Sequence, residues 1–123
     1  MENADRRALR RAYKESKRPM GVYRIRNLST GRSLIGRSTD LPSVLNRERT
    51  KLRFGMHQNA ALQRDWNAEG QDAFAFEVLD LLEPPDQIEY DPTDDLRVLE
   101  ALWNERLEAA GDLSYSRRRE GHA

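Results

Sequence analysis

The alternation of apolar and polar positions near the start of the chain predicts a β-hairpin. In its first strand, residues 21–27, Tyr23 and Ile25 fall on one face, and the intervening side chains fall on the other. The second strand covers residues 33–39 and contains Gly36. A glycine inside a strand marks a bend or a close approach of another backbone. We therefore expect the hairpin to be the element around which the chain is organised.

Apolar residues at helical spacing follow the hairpin and predict three helices, at about residues 40–54, 59–69 and 95–110. In the first of them, Phe54 is expected to face the core with the other apolar residues. A Phe-rich run at residues 72–82 is apolar on both sides and predicts a third strand that is covered on both faces.

These elements predict an α/β fold of the α+β type. A small three-stranded, mostly antiparallel sheet is flanked by three helices, with an added basic N-terminal helix. The expected divisions are residues 1–19 for that basic helix, 20–111 for the folded domain and 112–123 for a disordered tail. Residues 83–95 hold three prolines and six acidic residues, which is typical of a loop.

Composition narrows the possibilities further. The 123 residues suit one small domain, and 34% of them are charged, so the core must be small. No cysteine is present, which excludes disulfides and thiolate metal sites. No apolar run is long enough for a membrane span or a signal peptide, so a cytoplasmic protein without membrane contact is the expectation.

The net charge of zero conceals a strong asymmetry between the two halves of the chain. Residues 1–54 contain 15 Lys and Arg against 5 Asp and Glu, whereas residues 55–123 contain 6 against 16. A basic half suits a polyanion such as nucleic acid. The alternative is that the two halves neutralise each other across the fold. The N-terminal helix could likewise follow a phosphate backbone or be merely solvated.

The hairpin resembles the signature of the GIY-YIG nuclease family. Gly21-Val22-Tyr23 matches its first half, and Leu34-Ile35-Gly36 matches its second half with leucine in place of tyrosine. Further matches follow in order as Gly-x-Ser-x-Asp, Gly-x-His-x-Asn and Glu-x-x-Trp, so the resemblance covers about residues 20–111. It implies a divalent-metal-dependent endonuclease, using Mg²⁺ or Mn²⁺, that hydrolyses phosphodiester bonds in DNA, or in RNA.

The resemblance also implies roles for individual residues. Tyr23 corresponds to a general base, Glu100 to the metal ligand and His57 to an auxiliary group. Positive charge from neighbouring arginines would lower the pKa of the Tyr23 phenol. Each residue also has a structural alternative: a half-buried strand tyrosine, a boundary glutamate bonded to an arginine, and a histidine that caps the next helix.

The sequence departs from the family pattern on the first helix. Val44 stands where the catalytic arginine is usual, so Arg47, or Arg37 on the hairpin, is the candidate phosphate clamp. Glu48 stands near the place of a common histidine. The second hypothesis is therefore a catalytically degenerate module that binds nucleic acid or a protein partner without cleaving. The candidate nucleic-acid contacts are Arg10, Arg24, Arg26, Arg37 and Arg49.

Overall fold

A computed structural model describes residues 18–115 of the chain. Three strands, β1 (Gly21–Asn27), β2 (Ser33–Ser38) and β3 (Phe74–Leu81), form one sheet in the order β2-β1-β3. Both pairings are antiparallel, which confirms the predicted hairpin and the predicted third strand. The strand that carries Tyr23 is thus central, and β2 is an edge strand. The predicted N-terminal helix and Arg10 lie outside the described residues.

Three helices follow the hairpin: α1 (Leu41–Arg53), α2 (Ala60–Glu69) and α3 (Thr93–Ala109). The side chain of Asp40 accepts a hydrogen bond from the backbone N–H of Ser43 at the start of α1. Asn59 caps α2 in the same way. The α+β fold is therefore the one that the sequence predicted. No helix in the described part of the chain has the length and apolar character that a membrane crossing requires.

Helices α1 and α2 cover the sheet face that carries Tyr23 and Ile25. The core on this side combines strand residues with the inner stripes of both helices, and its buried members include Ile25, Leu41, Val44, Leu52, Leu62, Trp66 and Phe74. Phe54 does not join them, because its side chain is 72% exposed at the end of α1. The expectation that Phe54 faces the core was wrong.

Helix α3 packs on the opposite face of the sheet. The indole Nε1 of Trp103 donates a hydrogen bond of 2.9 Å to Asp80 Oδ2. Asp80 pairs in register with Val22, whose side chain is fully buried. Val22 and Tyr23 are neighbours on one strand and point to opposite faces. Helices therefore lie on both faces of the sheet, and side chains from both layers can meet at the β2 edge. The expectation of a third strand covered on both faces was wrong, because Val78 and Leu81 of β3 are 47% and 53% exposed.

The fold continues beyond the last helix to the end of the described residues. Ser114 forms a parallel bridge with Ser33, and Tyr115 is fully buried in the core. The Tyr115 hydroxyl donates a hydrogen bond of 2.7 Å to Asp65 and accepts one of 3.1 Å from Asn27. The predicted disordered tail therefore cannot begin at residue 112, because a buried tyrosine with two polar partners lies three residues later. Residues 116–123 lie outside the description.

Candidate active site

The Tyr23 hydroxyl lies directly above Gly36 on the edge strand. Tyr23 and Gly36 are paired across β1 and β2, and a Cβ atom on Gly36 would stand 2.3 Å from the Tyr23 hydroxyl oxygen. The glycine is therefore required by the phenol ring, which occupies the space of the missing side chain. The group that approaches Gly36 is thus a tyrosine side chain of the same protein, and not the backbone that was expected there.

Three charged side chains act on this hydroxyl. Burial, together with the negative charges of Glu48 and Glu100, raises the pKa of Tyr23 to about 12, while the positive charge of Arg47 opposes this rise. These charges come from two helices on different faces of the sheet, so α1 and α3 both reach the phenol at the β2 edge. Within residues 18–115, the hydroxyl forms no hydrogen bond and is left available to a ligand.

The predicted lowering of the Tyr23 pKa was wrong. Arg24 and Arg26 adjoin Tyr23 in sequence, but they lie on the other face of the sheet. Arg24 Nε donates to Glu77 Oε1 at 2.8 Å, and Arg26 Nη2 donates to Glu77 Oε2 at 3.0 Å. Arg24 also lies 3.6 Å from a carboxylate oxygen of Asp112. Glu77 therefore neutralises the positive charge of the two arginines that were expected to act on the Tyr23 phenol.

Arg49 and Arg37, two other candidate nucleic-acid contacts, also have protein partners. The Arg49 guanidinium lies 4.4 Å from the centroid of the Phe76 ring. Arg37 Nη1 donates a hydrogen bond to Glu100 Oε1 at the β2 edge. Of these two, Arg37 belongs to the group of side chains around Tyr23, because its partner Glu100 acts on the phenol.

Glu100 combines the two interpretations that the sequence left open. It is a boundary glutamate bonded to an arginine, with a side chain that is 19% exposed, and its charge also reaches Tyr23. Within the described ranges, no three His, Asp or Glu side chains converge on one point. A single carboxylate is nevertheless compatible with Mg²⁺, which keeps several waters and binds through one or two carboxylates plus substrate phosphate. The donor set therefore fits a cation that is completed by the substrate.

Glu48 and His57 form a buried pair behind the phenol. His57 Nε2 lies 2.6 Å from Glu48 Oε1, and the backbone N–H of Asn59 donates to His57 Nδ1 at 3.0 Å. Because Nδ1 accepts a hydrogen bond, the proton of the neutral imidazole is on Nε2 and is donated to Glu48. His57 is thus committed to two protein partners. It orients the carboxylate and caps the start of α2.

Glu48 is ionised despite its burial. Loss of solvent alone would raise its pKa, but the hydrogen bond from His57 and the charge of Lys51, 3.5 Å away, together hold the pKa of Glu48 below its usual range. The side chain is only 4% exposed. A fixed negative charge therefore stands next to a phenol that keeps its proton.

Two solved structures resemble this fold, and both are of the catalytic domain of the intron endonuclease I-TevI. One, named as a homing endonuclease domain, is 24% identical and aligns over 76% of this chain and 94% of that domain, with a TM-score of 0.60. The other, a glutamate-to-alanine mutant, is 21% identical over 77% and 90%, with a TM-score of 0.61. The chain has the GIY-YIG fold. No protein-family model and no curated protein matches its sequence.

Within this GIY-YIG fold, the departures from the signature have clear structural outcomes. Leu34, in place of the second tyrosine, packs against the core, and Val44, in place of the usual arginine, is 5% exposed within it. Arg47 lies three residues further along α1 and is exposed. Among residues 18–115 it has no ion-pair partner, and its charge acts on Tyr23. The positive charge that α1 brings to Tyr23 therefore lies about one helical turn beyond Val44.

Glu48 is the site residue whose importance sequence reasoning missed. It lies in line with Leu41, Val44 and Leu52, the buried stripe of α1. An acidic residue inside an apolar stripe requires a buried partner. That position was the available signal for a buried polar partner, which in the structure is His57 in the turn before α2.

Proposed function

We propose that the chain is a divalent-metal-dependent nuclease that hydrolyses phosphodiester bonds in DNA. The observation that carries the proposal is the convergence of Glu48, Glu100 and Arg47 on the hydroxyl of Tyr23. A phenol whose pKa is raised by two carboxylates, with an exposed guanidinium acting on it as well, is typical of a functional site. The GIY-YIG fold, shared with an endonuclease catalytic domain, supports the same assignment.

Phosphodiester hydrolysis requires a proton acceptor for the attacking water and positive charge beside the phosphate. Glu48 is the ionised acceptor, and His57 holds its carboxylate in place. Tyr23 keeps its proton at neutral pH, because its pKa is about 12. The phenol therefore donates a hydrogen bond to a phosphate oxygen, and Arg47 supplies charge from the exposed side. This assignment moves the role of the base from Tyr23 to Glu48.

Glu100 is the residue that would hold the metal ion. A bound divalent cation supplies charge stabilisation to the phosphate oxygens. Arg37 occupies one oxygen of the Glu100 carboxylate and fixes its orientation on α3. The same arginine balances the charge of Glu100 before the substrate arrives, which keeps the carboxylate at the β2 edge.

The decisive experiment compares nicking of plasmid DNA with Mg²⁺ or Mn²⁺ and with a chelator. Wild-type protein should nick only with metal, and Glu100→Gln should lower the rate by about 100-fold or more. Glu105→Gln is the matched control, because Glu105 is an exposed acid on the same helix. Full activity of Glu100→Gln would show that Glu100 is not part of the active site. Nicking without metal would show that the reaction does not need a divalent cation.

The second candidate function is nucleic-acid binding without cleavage. The ion pair between Arg37 and Glu100 favours this second function. Glu100 is the proposed metal ligand, and Arg37 already binds one of its two carboxylate oxygens, which leaves less of the carboxylate for a metal ion. In that case, wild-type protein would bind DNA with an affinity that falls steeply with salt, and no metal would induce nicking. The plasmid experiment separates the two functions directly.

A further inference from the structure

The outer face of α1 carries a stripe of which the proposed cleavage site uses only Arg47. Arg47, Thr50, Lys51 and Phe54 are spaced i, i+3, i+4 and i+7, so their side chains lie along one side of the helix. With Asn46 and Met56 they line a shallow groove of about 500 Å³. Arg47 connects this groove to Tyr23, because the same guanidinium acts on the phenol.

The groove exposes two large apolar side chains. Phe54 is 72% exposed and Met56 is 73% exposed, the two largest values among the exposed apolar residues of the described chain. Gly55 lies between them with a φ of +72°, a conformation that glycine adopts readily. The turn thereby ends α1 and leaves both side chains in solvent. Exposed apolar side chains that lie together, with polar residues around them, mark an interaction site.

The charge around the groove selects an anionic partner. The only acidic residue of α1 is Glu48, which is buried and bonded to His57, so the exposed face of the helix carries positive charge alone. Arg47 and Arg53 are exposed and, within residues 18–115, have no ion-pair partner. Lys51 is less available, because its ammonium lies 3.5 Å from Glu48. Arg53 does not line the groove, but it adjoins Phe54 in sequence. An exposed aromatic ring that shares a groove with an unpaired guanidinium combines the two features of single-strand nucleic-acid binding.

We propose that this groove binds an unpaired nucleotide, whose base stacks on Phe54 while Arg47 and Arg53 contact the adjoining phosphates. The inference rests on the proposed nuclease function and names its substrate class as single-stranded or locally unpaired DNA. Arg47 and Phe54 are seven positions apart along α1 and its C-cap, a distance of about 10 Å along the axis. A strand stacked on Phe54 therefore extends toward Arg47 and the Tyr23 site. In a duplex the bases are stacked on each other, and Phe54 has no free base to contact.

The test measures binding of the full chain to a fluorescent single strand of about 16 nucleotides and to the duplex of the same sequence, in a chelator so that nothing is cleaved. Phe54→Ala should weaken single-strand binding by about 5- to 150-fold, the range expected for loss of one stacked base. Duplex binding should change by less than about twofold, because electrostatic contacts remain. Phe54→Trp keeps an aromatic ring at this position and should bind the single strand about as tightly as wild-type protein.

Leu28→Ala is the matched control, because Leu28 is also an exposed apolar residue, 54% exposed, and lies outside the groove. It should leave both affinities unchanged. Equal effects of Phe54→Ala on single strand and duplex, or no effect on either, would overturn the proposal. So would a self-associating wild-type protein whose dimer dissociates on Phe54→Ala, since the groove would then bind a second copy. If Glu100→Gln loses nicking but binds the single strand as tightly as wild-type protein, the groove binds DNA independently of the cleavage site.

Discussion

The contact between Tyr23 and Gly36 yields the sharpest prediction, which concerns the variant Gly36→Ala. The new Cβ would lie 2.3 Å from the Tyr23 hydroxyl oxygen and 2.4 Å from the ring carbon that bears it. Carbon atoms prefer separations of about 3.5–4.0 Å, so the ring must move by more than about 1 Å. Tyr23 is 8% exposed and packed within the core, and it therefore has little room to move.

The expected cost combines two opposing effects. Overpacking of this size costs about 1–3 kcal/mol, whereas replacing a glycine recovers about 0.4–1 kcal/mol from the unfolded chain. Gly36 does not have a left-handed φ, so no backbone strain is added. We expect the free energy of unfolding to fall by about 1–2 kcal/mol. Nicking should fall by about 100-fold, because the displaced hydroxyl leaves the position in which Glu48, Glu100 and Arg47 act on it.

A double-mutant cycle with Tyr23→Ala identifies the cause. Urea denaturation of the four proteins gives the free energy of unfolding of each. Once the ring is absent, Gly36→Ala should be neutral or should stabilise by about 0.4–1 kcal/mol. A loss of stability that is the same in both backgrounds would show that the phenol ring is not the reason for the glycine, and our account of the site geometry would fail.

The remaining predictions concern the pH profile and the C-terminal segment. If Glu48 is the base, kcat/KM for nicking should be flat between about pH 6 and pH 9, because Glu48 is ionised above its lowered pKa and Tyr23 keeps its proton up to about pH 12. An activity that rises tenfold per pH unit across that range would instead assign the base to Tyr23. Tyr115→Phe should lower the free energy of unfolding by about 1–3 kcal/mol, since Asn27 and Asp65 each lose a partner. Tyr115→Ala should cost about 3–5 kcal/mol in the same thermal or urea assay, and an unchanged stability would contradict the burial of this residue.

Local signals made most of the fold predictable. Alternating side chains defined the hairpin, and Asp40 and Asn59 marked the starts of two helices with the hydrogen bonds expected of N-caps. The third strand was recognisable because its apolar residues occupy both faces. Each of these signals lies within a dozen residues of the element it predicts, so no knowledge of distant contacts was needed.

The errors concern contacts between residues that are distant in sequence. The pKa of Tyr23 was misjudged, because charges were counted on sequence neighbours that point to the other face of the sheet. The partner of Arg24 is Glu77, which is 53 residues away, and no local pattern indicates it. Tyr115 was assigned to a disordered tail for the same reason, since a single buried aromatic residue after the last helix creates no periodicity.

The pair formed by Glu48 and His57 restricts how this protein can diverge. Either residue alone, without the other, would be a buried polar group lacking its partner, and leaving such a group unsatisfied costs about 1–3 kcal/mol, or more when it is charged. A lineage that exchanges one member would have to pass through a poorly folded ancestor or change both positions together. In descendants of this chain, positions 48 and 57 should therefore vary as a unit, and an apolar residue at one should accompany an apolar residue at the other.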